Sequence, residues 1–215
     1  MKSFVTYPQF FEKMVFPEIA QNKSGKLFTQ YELCKKVCHL EGTIVKCGIT
    51  AEEGFAKFAM FRKLVSSHTS QKVIAFEKFR KNLYCENSAV CKEPLQLKTK
   101  KTARDVERIQ EKFLKKGIAE IDFIPGRLGD SIPDYLIENP ELKIAYLSLD
   151  LDDYDATINA LQFFYPRIMH GGMLVFDNYY KNEEDFRAIS DYFRHIKADI
   201  NSFSINKGPH FTVRK

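Results

Sequence analysis

The sequence has no tryptophan, no apolar run of 18 residues, no Cys-x-x-Cys pair and no Gly-x-Gly-x-x-Gly turn. The missing apolar run leaves no stretch that would be expected to cross a membrane as a helix. The opening segment MKSFVTYPQFFEKMVF has no clean apolar core of the signal-peptide kind, so secretion is not expected. The five cysteines, Cys34, Cys38, Cys47, Cys85 and Cys91, are odd in number. Reduced thiols in a cytoplasmic setting are the economical reading. Cys38-His39 has no partners at metal-ligand spacing, and Cys85 and Cys91 read more simply as two idle thiols than as a redox pair. The missing glycine fingerprint argues against a nicotinamide-dependent oxidoreductase. No repeat or linker divides the chain.

What is present suits a packed α/β protein. Hydrophobic residues make up 44% of the 215 positions and charged residues 28%, a globular balance. The 19 Phe and 10 Tyr supply much of the core volume. A net charge of +5 is compatible with an anionic ligand such as a nucleotide and does not demand nucleic acid.

The most informative stretch is IAYLSLDLDDYDATINALQFFYPRIMHGGMLVFDNYY, from Ile144 to Tyr180. Ile144–Leu149 has the length of a buried strand and ends in Asp150, Asp152 and Asp153. Ile158, Leu161 and Tyr165, spaced three and four apart, predict one face of a helix. Gly171-Gly172 restarts the chain, and Met173–Phe176 predicts a second buried strand ending in Asp177-Asn178. Neighbouring parallel strands would gather these acids at their carboxyl ends, the edge where open α/β sheets bind ligands. Carboxylates there suit a hard divalent cation. The plainer reading makes each Asp or Asn a helix or turn cap; Asp150 and Asp177 together favour a site.

Upstream, residues 1–41 read as amphipathic helices, a cap over the site or an oligomer surface. Leu27, Tyr31, Leu33, Cys34 and Val37 supply apolar positions of the second helix. Residues 42–215 read as the core domain. Thr43–Gly48 predicts a buried strand, and Gly54 opens a helix with Phe55, Phe58, Ala59 and Arg62. A strand, a glycine turn and a helix make the first unit of a nucleotide-binding fold: glycine lets a ligand approach the backbone and the helix start favours anions. Gln71–Phe76 predicts the next strand, with Glu77 placed to accept hydrogen bonds from ribose hydroxyls. The alternative pairs Glu77 with Lys78 or Arg80 on the surface. Residues 78–101 read as a loop or lid. Thr102–Lys116 predicts a helix whose Arg104, Arg108, Lys112 and Lys115 are diluted by Asp105, Glu107 and Glu111, so a solvated face is preferred to a nucleic-acid patch. Ala119–Ile124 predicts a strand followed by Gly126, and Asp130-Ser131-Ile132-Pro133 starts a helix that Asn139-Pro140 stops. Glu183–Ala198 predicts a helix with Phe186, Ile189, Phe193 and Ile196 inward. Phe203–Ile205 and His210–Val213 predict a terminal hairpin.

The segments GTIVKCGITAEEGFAKFAMFRKL, VIAFEKF, NPELKIAYLSLDLDDYDATINALQFFYPRI and GGMLVFDNY resemble class I S-adenosylmethionine-dependent methyltransferases, more narrowly the macrocin O-methyltransferase family, from about Tyr31 onward. The resemblance implies a Rossmann-like fold with a mostly parallel sheet, helices on both faces and a C-terminal antiparallel hairpin. It implies metal-assisted methylation of a sugar or nucleotide-sugar hydroxyl, with S-adenosylmethionine and Mg2+ as cofactors and a homo-oligomeric assembly. Carried over, the cofactor positions are Gly48, Ile49, Gly54, Glu77, Lys78, Asp130 and Ser131. The metal positions are Asp150, Asp177 and Asn178, with Asp150 also the base. Four departures stand out. Lys46 replaces the acid of the family's E-C-G. Glu77 replaces Asp. FEKFRKN loses the glycine and proline of the family loop. Asn178 replaces the second Asp. A lysine beside a cationic sulfonium is unhelpful unless it points elsewhere. These departures keep a second reading in play, a non-catalytic binding or assembly subunit on the same fold.

Overall fold

The computed structural model describes residues 23–48, 55–56, 58–61, 71–77, 100–115, 117–118, 121–177, 179–180, 182–202 and 209–215. Helix α1 (Lys23–Val37) leads into β1 (Thr43–Cys47), and residues 55–56 and 58–61 are helical. There follow β2 (Val73–Glu77), α2 (Lys100–Lys115), β3 (Ile121–Pro125), α3 (Leu128–Glu138), β4 (Ile144–Leu149) and α4 (Tyr154–Phe164). The chain ends with β5 (Ile168–Phe176), α5 (Glu183–Phe193), β6 (Asn201–Ser202) and β7 (His210–Val213).

The strands form one seven-stranded sheet in the order β3-β2-β1-β4-β5-β7-β6. The first five are parallel; β7 runs antiparallel to β5 and β6 antiparallel to β7. This is the expected Rossmann-like sheet. Its order reverses between β1 and β4, so the crevice at their carboxyl ends is the ligand position of an open α/β sheet. Both faces are covered, which is why the central strands read as continuous apolar runs. On one face, Leu33, Cys34 and Val37 of α1, Phe55, Phe58 and Ala59, and Ile109 and Phe113 of α2 pack on Ile44, Val73, Ala75, Tyr146, Met173 and Val175. On the other, Leu128, Ile132 and Leu136 of α3 and Ala160, Leu161 and Phe164 of α4 pack on Val45, Cys47, Ile74, Phe76, Leu147, Leu149, Leu174 and Phe176.

Three details differ from the sequence reading. The fifth strand begins at Ile168, not Met173, and runs through Gly171-Gly172. The β4 pairing jumps from Ile168 to Met173, with Gly171 at φ +78°; a bulge that glycine tolerates keeps the strand continuous. In α4 the fully buried positions are Thr157, Ala160, Leu161 and Phe164, with Ile158 only half-buried. The helix is rotated from the expected face because it is wedged between the sheet and its neighbours. Phe186 is 41% and Ile196 39% exposed, while Ala188 and Ile189 face inward with Asp185. Helix α5 ends at Phe193, so Ile196 lies beyond it. The hairpin expectation holds for His210–Val213, which pairs with Asn201–Ser202; Phe203–Ile205 lie outside the described residues.

Candidate functional site at the carboxyl ends of the central strands

Residues of a strand alternate between faces. Ile44 lies on the α1 face, so Lys46 does too; Tyr146 lies there, so Ser148 does; Val175 lies there, so Asp177 follows. The parallel register sets Lys46 opposite Ser148 and Ser148 opposite Val175. Four polar groups therefore line up across β1, β4 and β5 at the end of an otherwise apolar face. Lys46, Asp150 and Asp177 are only 5%, 5% and 2% exposed.

Burial without partners would be prohibitive; Lys46, Ser148 and Asp177 hydrogen-bond one another, and Asp150 pairs with the ammonium at longer range. The Lys46 ammonium donates to Asp177 Oδ2 at 3.1 Å and to Ser148 Oγ at 3.2 Å, and lies 4.0 Å from Asp150 Oδ2. Ser148 Oγ donates to Asp177 Oδ2 at 3.1 Å. From α1, Gln30 Nε2 makes a longer contact to Asp177 Oδ1 at 3.4 Å. Burial pulls the Lys46 ammonium pKa down, but attraction first to Asp177 and then to Asp150 outweighs it, and the net direction is upward. The lysine is held charged.

Backbone bonds carry the ladder to the last residue of each strand. Gly48 N–H donates to Phe76 O at 2.9 Å, Asp150 N–H to Cys47 O at 2.9 Å, Asp177 N–H to Leu149 O at 2.9 Å and Gly126 N–H to Glu77 O at 3.1 Å. Gly48 has φ +86°, and a Cβ there would stand 2.1 Å from the Asp150 carbonyl oxygen. Only glycine lets β1 turn this tightly against β4. The acids beyond β4 are divided in role: Asp153 caps α4 by accepting from Ala156 N–H at 3.0 Å. Asp185 of α5 accepts from Thr157 Oγ1 at 2.7 Å, and burial, with Asp152, Asp150 and Asp153 nearby, raises its pKa to about 6.

Of the expected site residues, Gly48, Glu77, Asp150 and Asp177 come together at one sheet edge. Asp130 and Ser131 lie in the first turn of α3 beyond β3; Asp130 is exposed, and Ser131 Oγ donates to Arg127 O at 3.0 Å. Ile49, Gly54, Lys78 and Asn178 lie outside the described residues. Asp150, expected at an open strand end, is buried. The sequence reading missed Gln30 and Ser148; Lys46, unhelpful to a cationic cofactor unless it points elsewhere, turns its ammonium onto the acids. An alternating strand with one lysine opposite one serine, two acids at its end, was the available signal.

A bare backbone at Gly48 and a carboxylate at Glu77 fit a nucleoside cofactor with ribose hydroxyls. The donor set does not fit Mg2+ at Asp150 and Asp177. Such an ion needs near-octahedral oxygens at about 2.0–2.1 Å, and Asp177 Oδ2 is already held by an ammonium. Among the described residues no three His, Cys, Asp or Glu side chains converge as a ligand set. Past Asp177, the rings of Tyr179 and Tyr180 meet each other at 4.5 Å and His210 at 5.0 and 4.8 Å. Tyr180, 68% exposed, stacks on Phe186 at 5.8 Å. A separate groove of about 810 Å³, lined by Thr43, Lys72, Tyr135, Glu138 and Lys143 among others, opens at the amino-terminal edge of the sheet. It lies away from these groups and holds none of them.

No helix among the described residues is long and apolar enough to cross a membrane. Over 73 residues the chain is 33% identical to mycinamicin III 3''-O-methyltransferase of Micromonospora griseorubida, covering 33% of this chain and 27% of that protein. Over 76 residues it is 30% identical to a tetracenomycin rhamnosyl 4'-O-methyltransferase of Streptomyces olivaceus, covering 34% and 28%. The chain thus aligns with about a quarter of the length of these curated relatives. The fold is similar to that of CalS11, a TDP-rhamnose 3'-O-methyltransferase, with TM-score 0.65 at 18% identity over 88% of this chain and 79% of that one. It is also similar to the O-methyltransferase NovP, with TM-score 0.66 at 18% identity over 87% and 78%. The family description "Macrocin-O-methyltransferase (TylF)" matches residues 32–207, most of the chain, and the chain belongs to that family.

Proposed function

We propose that the protein transfers a methyl group from S-adenosylmethionine to a hydroxyl of a sugar or nucleotide sugar. The observation that carries this reading is the meeting of Gly48, Glu77, Asp150 and Asp177 at the switch point of the sheet in a chain of the macrocin O-methyltransferase family. When bound, S-adenosylmethionine would supply a sulfonium methyl for in-line transfer to the acceptor oxygen, with sulfur leaving as the neutral thioether that keeps the C–S electron pair. In this reading Glu77 accepts the ribose hydroxyls, and the Gly48 turn admits the cofactor's amino-acid end. Asp130 and Ser131 flank the adenine side. Asp150 accepts the acceptor hydroxyl's proton as the new O–CH3 bond forms. Asp177, itself inaccessible and bound to Lys46 and Ser148, holds the ammonium in place beside Asp150. The exposed Tyr180–Phe186 stack offers an apolar face for a sugar ring, and α1, which reaches Asp177 through Gln30, covers this end of the site. The free thiols of Cys34, Cys38 and Cys47 support a reducing, cytoplasmic setting.

Calorimetric titration with S-adenosylmethionine and S-adenosylhomocysteine tests the reading, followed by turnover on a panel of nucleotide deoxysugars. Micromolar affinity, about −8 kcal/mol, with methylation of one acceptor is the expected result. Asp150→Asn should keep cofactor affinity and lower kcat by about 10²–10⁴-fold, the span of a lost general base. Absence of cofactor binding would refute it in favour of the non-catalytic binding subunit, the reading that an acid site already holding an internal ammonium favours.

A further inference from the structure

The acidic edge already contains a cation, and it is covalently part of the chain. Lys46 is the penultimate residue of β1, paired with Ala75 of β2 on one side and Ser148 of β4 on the other, which fixes its backbone. Its Nζ faces three side-chain oxygens: Asp177 Oδ2 at 3.1 Å, Ser148 Oγ at 3.2 Å and Asp150 Oδ2 at 4.0 Å. A lysine that merely decorated the surface would be solvated; this one is 5% exposed between two acids that are equally buried.

We propose that Lys46 is the resident cation of this carboxylate site, its ammonium filling the oxygen-lined space between Asp150 and Asp177 in place of a divalent metal. Three points carry this. A metal bridging the two acids would have to displace a donor from Asp177, either the ammonium at Oδ2 or the Gln30 amide at Oδ1. It would then stand within a few ångströms of a second positive charge with little water to screen it, where repulsion is strong. The ammonium also brings one positive charge against two negative ones, so the edge keeps a net negative charge. That suits a cationic sulfonium and leaves a carboxylate charge to receive a proton. The occupancy of the site stands on geometry alone. Its corollary, that methyl transfer here needs no metal, rests on the methyltransferase reading.

The test is Mn2+ binding to the chelator-treated full chain, followed by the loss of the free-ion paramagnetic resonance signal. Wild type should leave the signal unchanged. Lys46→Ala should bind Mn2+ at least about tenfold more tightly than wild type, and Lys46→Ala/Asp177→Asn should lose that gain. Should Lys46→Ala not fold, Lys46→Gln, which keeps an N–H donor for Asp177, carries the same comparison. Wild-type binding that Asp150→Asn removes would overturn the proposal, as would a folded Lys46 variant that binds no better than wild type. These readouts need no turnover, so failure of the methyltransferase reading leaves them interpretable. Where turnover is found, chelator should leave kcat unchanged, and its loss would also overturn the proposal.

Discussion

Removing the ammonium from the buried acid site should be among the most damaging single changes to this fold. Lys46→Met keeps the length and the apolar stem and deletes one charge. Asp177, whose side chain is wholly inaccessible, would keep the Ser148 hydroxyl and the longer Gln30 amide contact but lose its charged donor at 3.1 Å. Breaking a buried pair by removing one partner costs about 3–5 kcal/mol, because the remaining charge is uncompensated. Against a total of roughly 5–15 kcal/mol for a domain, that is about a fifth of the stability or more. The complementary change, Lys46→Met/Asp177→Asn, removes both charges. It should recover about 2 kcal/mol or more of the loss, since a pair replaced by neutral groups is often close to neutral. Urea unfolding followed by circular dichroism at neutral pH reads all three variants, with Asp177→Asn closing the cycle. A loss below about 1 kcal/mol for Lys46→Met, the scale of exposed pairs, would refute the argument, and so would a double variant no more stable than Lys46→Met alone.

Other expectations follow from the same geometry. Gly48→Ala should cost several kcal/mol, about 1–3 from the positive φ alone, because its Cβ would meet Asp150 O at 2.1 Å, a backbone atom that cannot rotate away; chemical denaturation measures this. Asp185 holds a proton more tightly folded than unfolded, with its pKa raised from 3.8 to about 6. Its contribution is therefore most favourable below about pH 4 and is lost as pH rises to about 6. Two units correspond to an upper bound of about 3 kcal/mol. Asp185→Asn, which can still accept from Thr157, should raise Tm at pH 8 and change it little at pH 4, so a pH-independent gain would count against this assignment. Lys46→Glu would set a third carboxylate beside two buried ones and should unfold more easily than Lys46→Met in the same urea titration. Tyr180→Ala should raise KM for the acceptor with kcat nearly unchanged if Tyr180 is a stacking face, and steady-state kinetics separates the two parameters.

Much of the fold was legible because both faces of the sheet are covered. The apolar runs 43–47, 73–77 and 144–149 read as buried strands, and Gly48, Glu77 and Asp150 marked their carboxyl ends. What sequence periodicity missed came from tertiary competition. Gly171-Gly172 looked like a chain break because glycine weakens strands, yet the β4 and β7 neighbours keep the segment paired across the bulge. Phe186 looked like core, but Asp185 took the inward position because Thr157 of α4 offers it a hydrogen bond, leaving Phe186 to stack on Tyr179 and Tyr180. The acids of the site were legible as a group. The identity of their counter-charge was not, since that depends on register between strands about 100 residues apart.

That register changes what Lys46 means. Considered along β1 alone, a lysine before Cys47-Gly48 stands next to the turn expected to receive a cationic cofactor and is repulsive. Considered across the sheet, its side chain has partners: alternation sends Lys46 to the α1 face, where its ammonium meets Ser148 and Asp177 and lies 4.0 Å from Asp150. One residue can thus meet both acids at once, its charge directed at carboxylates. The same alternation makes the change hard to reverse singly. An acid at position 46 would point at the same two carboxylates, and only a simultaneous cation, bound or built in, could balance them. Position 46 and the charge state of the β4–β5 edge are therefore coupled. The nature of the cation at this edge follows from the residue at 46 rather than from Asp150 and Asp177, which are compatible with either.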